Sequence, residues 1–260
     1  RLFSTLALAV AIWAARPGDF RVIGPGGGGA MFNPTVSPHD PQTVLVSCDM
    51  TGAYITHDGG RSWRMFNLQS PVRFFAFDPR QAGTIYAQSI GLWRSTDNGE
   101  TWKLLWPKPD AIRGIEMNSD HAEERIVAEP DPLGEIVAFA IDPADSRTLF
   151  AAARKDNATS LWVSRDGGVS WTKQAALPEA PFRLWSHAGQ VYAAGPHGIG
   201  VVRGPEVSRP IADLEAKMRD KLQQFLVEKA QYLGPWSIVW GPAVWQAPFS
   251  DVIDNMLVVF

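Results

Sequence analysis

Two aspartates nine positions apart, Asp49 and Asp58, stand out in the run SCDMTGAYITHDGGRSW, residues 47–63. A carboxylate at a strand end can exchange a proton with a substrate, or it can accept backbone N–H groups and hold a turn. A second concentration of ionisable groups lies in IEMNSDHAEERIVAEPD, residues 115–131, where Glu116, Asp120, His121, Glu123 and Glu124 crowd together. That run reads as a solvated acidic loop, a substrate lip or a weak Ca²⁺ site. Carboxylates and carbonyls suit that ion, although no EF-hand spacing is present. Other chemistry is excluded by pattern. GPGGGG, residues 24–29, lacks the Gly-Lys-Ser/Thr ending of a phosphate loop and reads as a close backbone approach. There is no His-Glu-x-x-His and no cysteine pair, so no zinc site is suggested, and no Gly-x-Ser-x-Gly elbow. No cofactor is expected.

The elements that position these acids follow from a repeat. THDGGRSW, STDNGETW and SRDGGVSW all read Ser/Thr-x-Asp-x-Gly-x-Ser/Thr-Trp. They place Asp58, Gly60 and Trp63, then Asp97, Gly99 and Trp102, then Asp166, Gly168 and Trp171 in equivalent positions. Each is preceded by SPHDPQTVLV, AFDPRQAGTIYA or AIDPADSRTLFA, an Asp-Pro turn, then Thr, then an alternating apolar strand. LWSHAGQVYAAGPHGIGVVRG keeps the strand pattern without the Asp motif, as a fourth, degenerate copy. The motif aspartates are 97 − 58 = 39 and 166 − 97 = 69 residues apart, which puts a long insertion in the third unit. A unit of roughly 40–45 residues with four strands is the size of a propeller blade. Within the motif the Asp accepts turn N–H groups, the Gly supplies positive φ, and the Trp returns to the layer between sheets. The three motif aspartates are therefore expected to be structural.

Composition agrees with an all-β chain that carries its own core. The 260 residues are 45% apolar with a formal charge of −3, which offers no basic footprint for nucleic acid. The single cysteine, Cys48, excludes an intrachain disulfide and reads as a small buried residue. RLFSTLALAVAIWAARPGD has the anatomy of a secretory signal and is too short for a comfortable membrane span, so export is expected. Among the eleven Trp, Trp93, Trp106, Trp162 and Trp185 lie between the motifs or just beyond them. They serve the core or stack on sugar rings, and Trp106, followed by Pro-Lys-Pro, is the best loop platform. Ile211, Leu214, Met218, Leu222, Phe225, Leu226 and Leu233 fit one face of a helix of about 23 residues ending at Gly234, which docks on a sheet or on a partner protein. The closing Trp-rich run ends on Val-Val-Phe, which suggests truncation or a joined reading frame.

The motifs are Asp-boxes and resemble those of sialidase-type β-propellers over about residues 20–204. VIGPGGGGAMFNPTVSPHDPQTVLVSCDMTGAYIT further resembles the opening of xyloglucanase-like two-propeller endoglucanases, in which an Asp-x-Gly-Gly-Ala-Tyr element supplies the catalytic acid or base. That resemblance implies a catalytic role for Asp49, a sugar-contacting role for Tyr54 and a glycan or polysaccharide substrate. Cys48 and Thr51 depart from the pattern. It also implies a second catalytic carboxylate in a second propeller. Within this chain a local substitute would come from the acidic insertion, with Trp106, Glu116, Asp120 and His121 as candidate substrate contacts. The sialidase reading lacks a Tyr–Glu pair and a properly placed Phe-Arg-Ile-Pro element. Residues 236–244 faintly resemble the opening of class-3 lipase-like hydrolases, with no catalytic motif behind it.

The expected architecture is thus a signal over 1–18, an all-β propeller-like array of about four blades over 19–205 that forms part of a larger propeller, and a helix with a Trp-rich tail over 206–260. The hairpin between Asp49 and Asp58 should place them on opposite faces of the array. The expected function is an exported carbohydrate-active propeller, with a non-catalytic binding or assembly module as the alternative.

Overall fold

A computed structural model describes residues 23–26, 29–50, 52–117 and 124–212. Four four-stranded antiparallel sheets follow one another, each a simple meander. Blade 1 is β1 (Met31–Val36), β2 (Val44–Cys48), β3 (Gly52–Thr56) and β4 (Arg64–Asn67). Blade 2 is β5 (Phe74–Phe77), β6 (Ile85–Gln88), β7 (Leu92–Ser95) and β8 (Lys103–Trp106). A 3-10 turn, Pro109–Ala111, then leads into a separate hairpin of β9 (Ile112–Met117) and β10 (Glu124–Ala128). Blade 3 is β11 (Glu135–Asp142), β12 (Asp145–Lys155), β13 (Ala158–Ser164) and β14 (Thr172–Leu177). Blade 4 is β15 (Arg183–His187), β16 (Gln190–Gly195), β17 (Gly198–Arg203) and β18 (Glu206–Ala212). The degenerate fourth copy is a full blade, and the insertion in the third unit is the β9–β10 hairpin.

Two expectations meet the structure at the carboxyl-terminal side. Blade 4 runs on through Ala212, so Ile211 and Ala212, expected to open a helix, lie in β18 and pair with β17. Ladder pairing of Ile211 with Ile199 and of Ala212 with Gly198 carries the backbone on through Pro210 as a strand, and tertiary pairing here overrides the local helical pattern. The rest of that helix, the Trp-rich tail and the signal-like segment lie outside the described residues.

Alternation along each strand gives every blade two apolar faces, and the cores sit between blades. Leu45, Ala53, Ile55 and Phe66 of blade 1 meet Phe75, Ile85 and Ala87 of blade 2, with Trp93 and Trp102 closing the layer. Tyr86, Leu92 and Trp106 of blade 2 meet Ile136, Leu149, Ala151 and Ala153 of blade 3. Phe150, Ala152, Leu161 and Val163 of blade 3 meet Leu184, Val191, Ala193 and Val202 of blade 4. The motif Trp reaches back to the preceding blade, as Trp102 does in stacking on Phe66 at 5.1 Å. The motif Gly permits close approach there. A Cβ on Gly168 would fall 2.5 Å from Leu105 Cδ2 of blade 2.

The Asp-box end of the blades is also latched by polar contacts. Arg64 Nη2 donates to Gly99 O at 2.7 Å, and Arg94 Nη1 to Gly167 O at 3.3 Å. His39 Nε2 donates to Asp78 O at 2.7 Å, which fixes that nitrogen as the protonated one, because a carbonyl can only accept. Ser146 Oγ of blade 3 donates to the buried Asp78 Oδ1 of blade 2 at 2.7 Å. These contacts suture neighbouring blades at the Asp-box end.

Candidate functional site at the Asp49 end

Strand register decides which acids share an end. Val44 pairs with Thr56 and Ser47 with Ala53, so the hairpin closes beyond Ser47 and Ala53. Asp49, following β2, therefore lies at the end opposite Asp58, which follows β3. The two acids are on opposite faces of the array.

The motif aspartates are saturated with donors. Asp58 Oδ1 accepts from Thr56 Oγ1 at 2.8 Å and from the N–H groups of Arg61 and Ser62, and Oδ2 accepts from Ser62 Oγ at 2.7 Å. Asp97 repeats this with Ser95 Oγ at 2.7 Å and with Thr101 N and Oγ1 at 2.9 and 2.5 Å. Asp166 repeats it with Ser164 and Ser170. In each box the leading hydroxyl also accepts from the motif Gly N–H, at 2.9, 2.9 and 2.7 Å. The Thr101 hydroxyl, then the Thr101 N–H, then the Ser95 hydroxyl hold the Asp97 carboxyl down to a pKa of about 2. The Ser62 hydroxyl acts first on Asp58, and the Ser170 hydroxyl first on Asp166, and both carboxyls lie well below the usual range. Groups so firmly ionised and so fully bonded hold turns and are poorly suited to proton transfer.

Asp49 is differently placed. It is exposed, and its Oδ1 accepts the Ala30 N–H at 3.0 Å while its own N–H reaches Ala30 O at 3.2 Å. The Cys48 thiol, buried as expected, lies 3.4 Å from the same oxygen. The glycine run explains this approach. Gly29 has φ +90°, and a Cβ there would sit 2.6 Å from Asp49 Oδ1. Backbone from the glycine segment thus fixes one carboxylate oxygen, and Oδ2 has no hydrogen-bond partner among the described residues.

The other candidates do not gather around it. Tyr54 lies in mid-β3, between Val46 and Met65, and is half-buried. Its register position is that of Trp93 and Trp162, opposite Ala87 and Ala151 in the next two blades, where the side chain packs between blades. Trp106 is no loop platform. It is the last residue of β8, 9% exposed, and packed with Tyr86, Leu92 and Leu133. The Pro-Lys-Pro that suggested a loop begins only after the side chain has turned into the core. Glu116 is exposed on β9 and paired with Arg125 of β10 at 2.5 Å. Asp120 and His121 lie outside the described residues. β9 and β10 themselves join the blades at the Asp49 end, because β8 ends and β11 begins there, and Glu124 N–H reaches Gln69 O at 3.2 Å.

The arrangement brings together residues that have no local signature. β1, β5, β11 and β15 are the innermost strands, and between them lies a cleft of about 520 Å³. At the Asp49 ends of these strands stand Asn33, Arg73, Glu135 and Arg183. Glu135 is gripped from two blades, by Arg73 and by Arg154 Nη2 at 2.6 Å. Its partial burial would raise its pKa, but the hydrogen bonds and charges of Arg154 and Arg73 outweigh that and lower it. Asn33 Nδ2 donates to Ser47 Oγ at 3.2 Å and to Arg73 O at 3.0 Å, tying blade 1 to blade 2 beside this cluster. The available signal was the alignment of VRFFAFDP, LGEIVAFAIDP and PFRLWSH, which sets Arg73, Glu135 and Arg183 at the openings of equivalent strands.

Comparison with known proteins agrees with this architecture. The BNR/Asp-box repeat model matches residues 93–104. The xyloglucanase Xgh74A of Acetivibrio thermocellus is 30% identical over 184 residues, covering 62% of this chain and 19% of that protein. A xyloglucanase of Paenibacillus sp is 27% identical over 180 residues, covering 60% of this chain and 15% of that protein. A solved ancestral GH74 enzyme is 20% identical, with a TM-score of 0.49 over 71% of this chain and 25% of that one. The chain spans about a fifth of the length of the curated relatives it matches. It is an Asp-box, propeller-like protein related to glycoside hydrolases of the xyloglucanase type.

Proposed function

We propose that this chain is an exported, glycan-engaging propeller segment of the xyloglucanase type, in which Asp49 supplies one of the two carboxylates of glycosidic-bond hydrolysis. The observation that carries the reading is the contrast between Asp49 and the motif aspartates. Three acids are saturated by turn donors at one end, and a fourth is exposed at the other with one oxygen held by the Ala30 N–H. Similarity to xyloglucanases supports a β-glucan as the ligand. Hydrolysis needs two carboxylates roughly 5–9.5 Å apart, one to donate a proton to the leaving oxygen and one to activate water or attack. Glu135 is unsuited to the second role, because two guanidinium groups hold it ionised and occupy its oxygens. On this reading the second carboxylate comes from the insertion or from a further propeller.

The alternative, a non-catalytic glycan-binding module, is favoured by that same occupation of Glu135. The two separate in one experiment. Asp49→Asn should keep the fold and xyloglucan binding but lose reducing-end release from xyloglucan. If the native chain binds xyloglucan and releases nothing, the module reading stands. If Asp49→Asn cleaves as well as the native chain, the catalytic assignment of Asp49 is wrong.

A further inference from the structure

The cleft between the innermost strands has an uneven lining. Val36, Phe74, Phe77, Phe139, Phe182 and Leu184 contribute apolar side chains, and polar atoms make up the rest of its lining. Its only ionisable lining residues are two arginines, Arg73 and Arg183. Arg73 shares Glu135 with Arg154. Arg183, at the start of β15, is exposed and has no hydrogen bond or ion pair among the described residues. Beside it Phe182 is 44% exposed, and Phe32 at the corresponding end of β1 is 50% exposed.

A guanidinium at a cleft with no acidic residue among its described lining favours an anionic ligand. Its planar fork matches a carboxylate in bidentate geometry, and such a charge-assisted pair strengthens where water is partly excluded. The exposed Phe182 ring beside it suits the C–H face of a sugar ring. We infer that the mouth of this cleft is a subsite for a carboxylate-bearing sugar, a uronate unit of an acidic polysaccharide, recognised by Arg183 with Arg73 beside it. This rests on the glycan reading above and adds a charge to the ligand. A neutral β-glucan would leave Arg183 without a counterpart.

The test uses the full chain and three probes in calorimetric titration: a tri- to hexameric galacturonate, its methyl ester, and a neutral xyloglucan oligosaccharide. The free acid should bind at least about tenfold more tightly than its ester. Arg183→Gln should abolish that difference while leaving neutral-glycan affinity within about twofold. Raising salt from about 50 to about 300 mM should weaken only the acid. Because Arg183 is exposed and unpaired among the described residues, the variant should remain folded, which its unfolding midpoint checks. Equal binding of acid and ester, or an Arg183→Gln variant that keeps the preference, overturns the inference. Binding of the neutral glycan alone overturns it and leaves the glycan reading intact, and binding of none of the three overturns both.

Discussion

Replacing Trp106 separates a core residue from a sugar platform. The indole is 9% exposed and lies against Tyr86, Leu92, Leu133 and Ile136 between blades 2 and 3. An enclosed indole keeps roughly 200 Å² from water, and at about 25 cal/mol per Å² that is about 5 kcal/mol. Substitutions of Trp by Ala in cores cost about 3–5 kcal/mol, because neighbours collapse only partly into the space. Trp106→Ala should therefore lower stability by about 4 kcal/mol. With a denaturant slope of about 3 kcal/mol per molar, the urea midpoint would fall by more than about 1 M. Trp106→Phe should cost far less, about 1–2 kcal/mol, because the ring volume is mostly kept and the indole N–H has no protein partner to lose. The assay is urea unfolding followed by circular dichroism, with xyloglucan binding measured on the folded fraction. A Trp106→Ala variant of nearly native stability that no longer binds glycan would refute the packing argument and restore the platform.

The Asp-boxes give a pH prediction. Asp97 titrates near 2 when folded against 3.8 as its ordinary value, so the folded state holds fewer protons than the unfolded one across that interval. Its contribution is complete above about pH 4 and disappears as pH falls toward 2. Unfolding midpoints taken from pH 5 to pH 2 should fall less steeply for Asp97→Asn than for the native chain, and parallel curves would contradict the assignment. Ser146→Ala removes a donor from the buried Asp78 Oδ1 and should cost about 1–3 kcal/mol by the same urea assay, whereas an effect under about 0.5 kcal/mol would show the suture to be idle. Gly168→Ala places a Cβ against Leu105 at a φ of +91°, and should cost about 1–3 kcal/mol, partly recovered by adding Leu105→Ala. Full additivity of that pair would argue against the contact.

Much of this was written locally. The Ser/Thr-x-Asp-x-Gly-x-Ser/Thr-Trp spacing contains the donors to its own aspartate, so Asp58, Asp97 and Asp166 could be read as turn-holders without knowledge of the fold. The Asp-Pro turns and alternating strands fixed four blades for the same reason, including the fourth that lacks the motif. Separation of Asp49 from Asp58 followed from one hairpin, because antiparallel pairing sends the ends of successive strands in opposite directions. Trp106 was misread because local composition, Pro-Lys-Pro, describes the backbone that follows it. It does not describe the neighbouring blade that covers the side chain.

Sequence by itself determined the repeat, the four blades of the described residues and the division between held and free acids, since each depends on contacts within about twenty residues. Only the tertiary structure decided which side chains share the cleft. Arg73 and Arg183 both line it, 183 − 73 = 110 residues apart, and nothing local links them. They meet because four innermost strands converge on one space, and a convergence of that kind is a property of how blades pack.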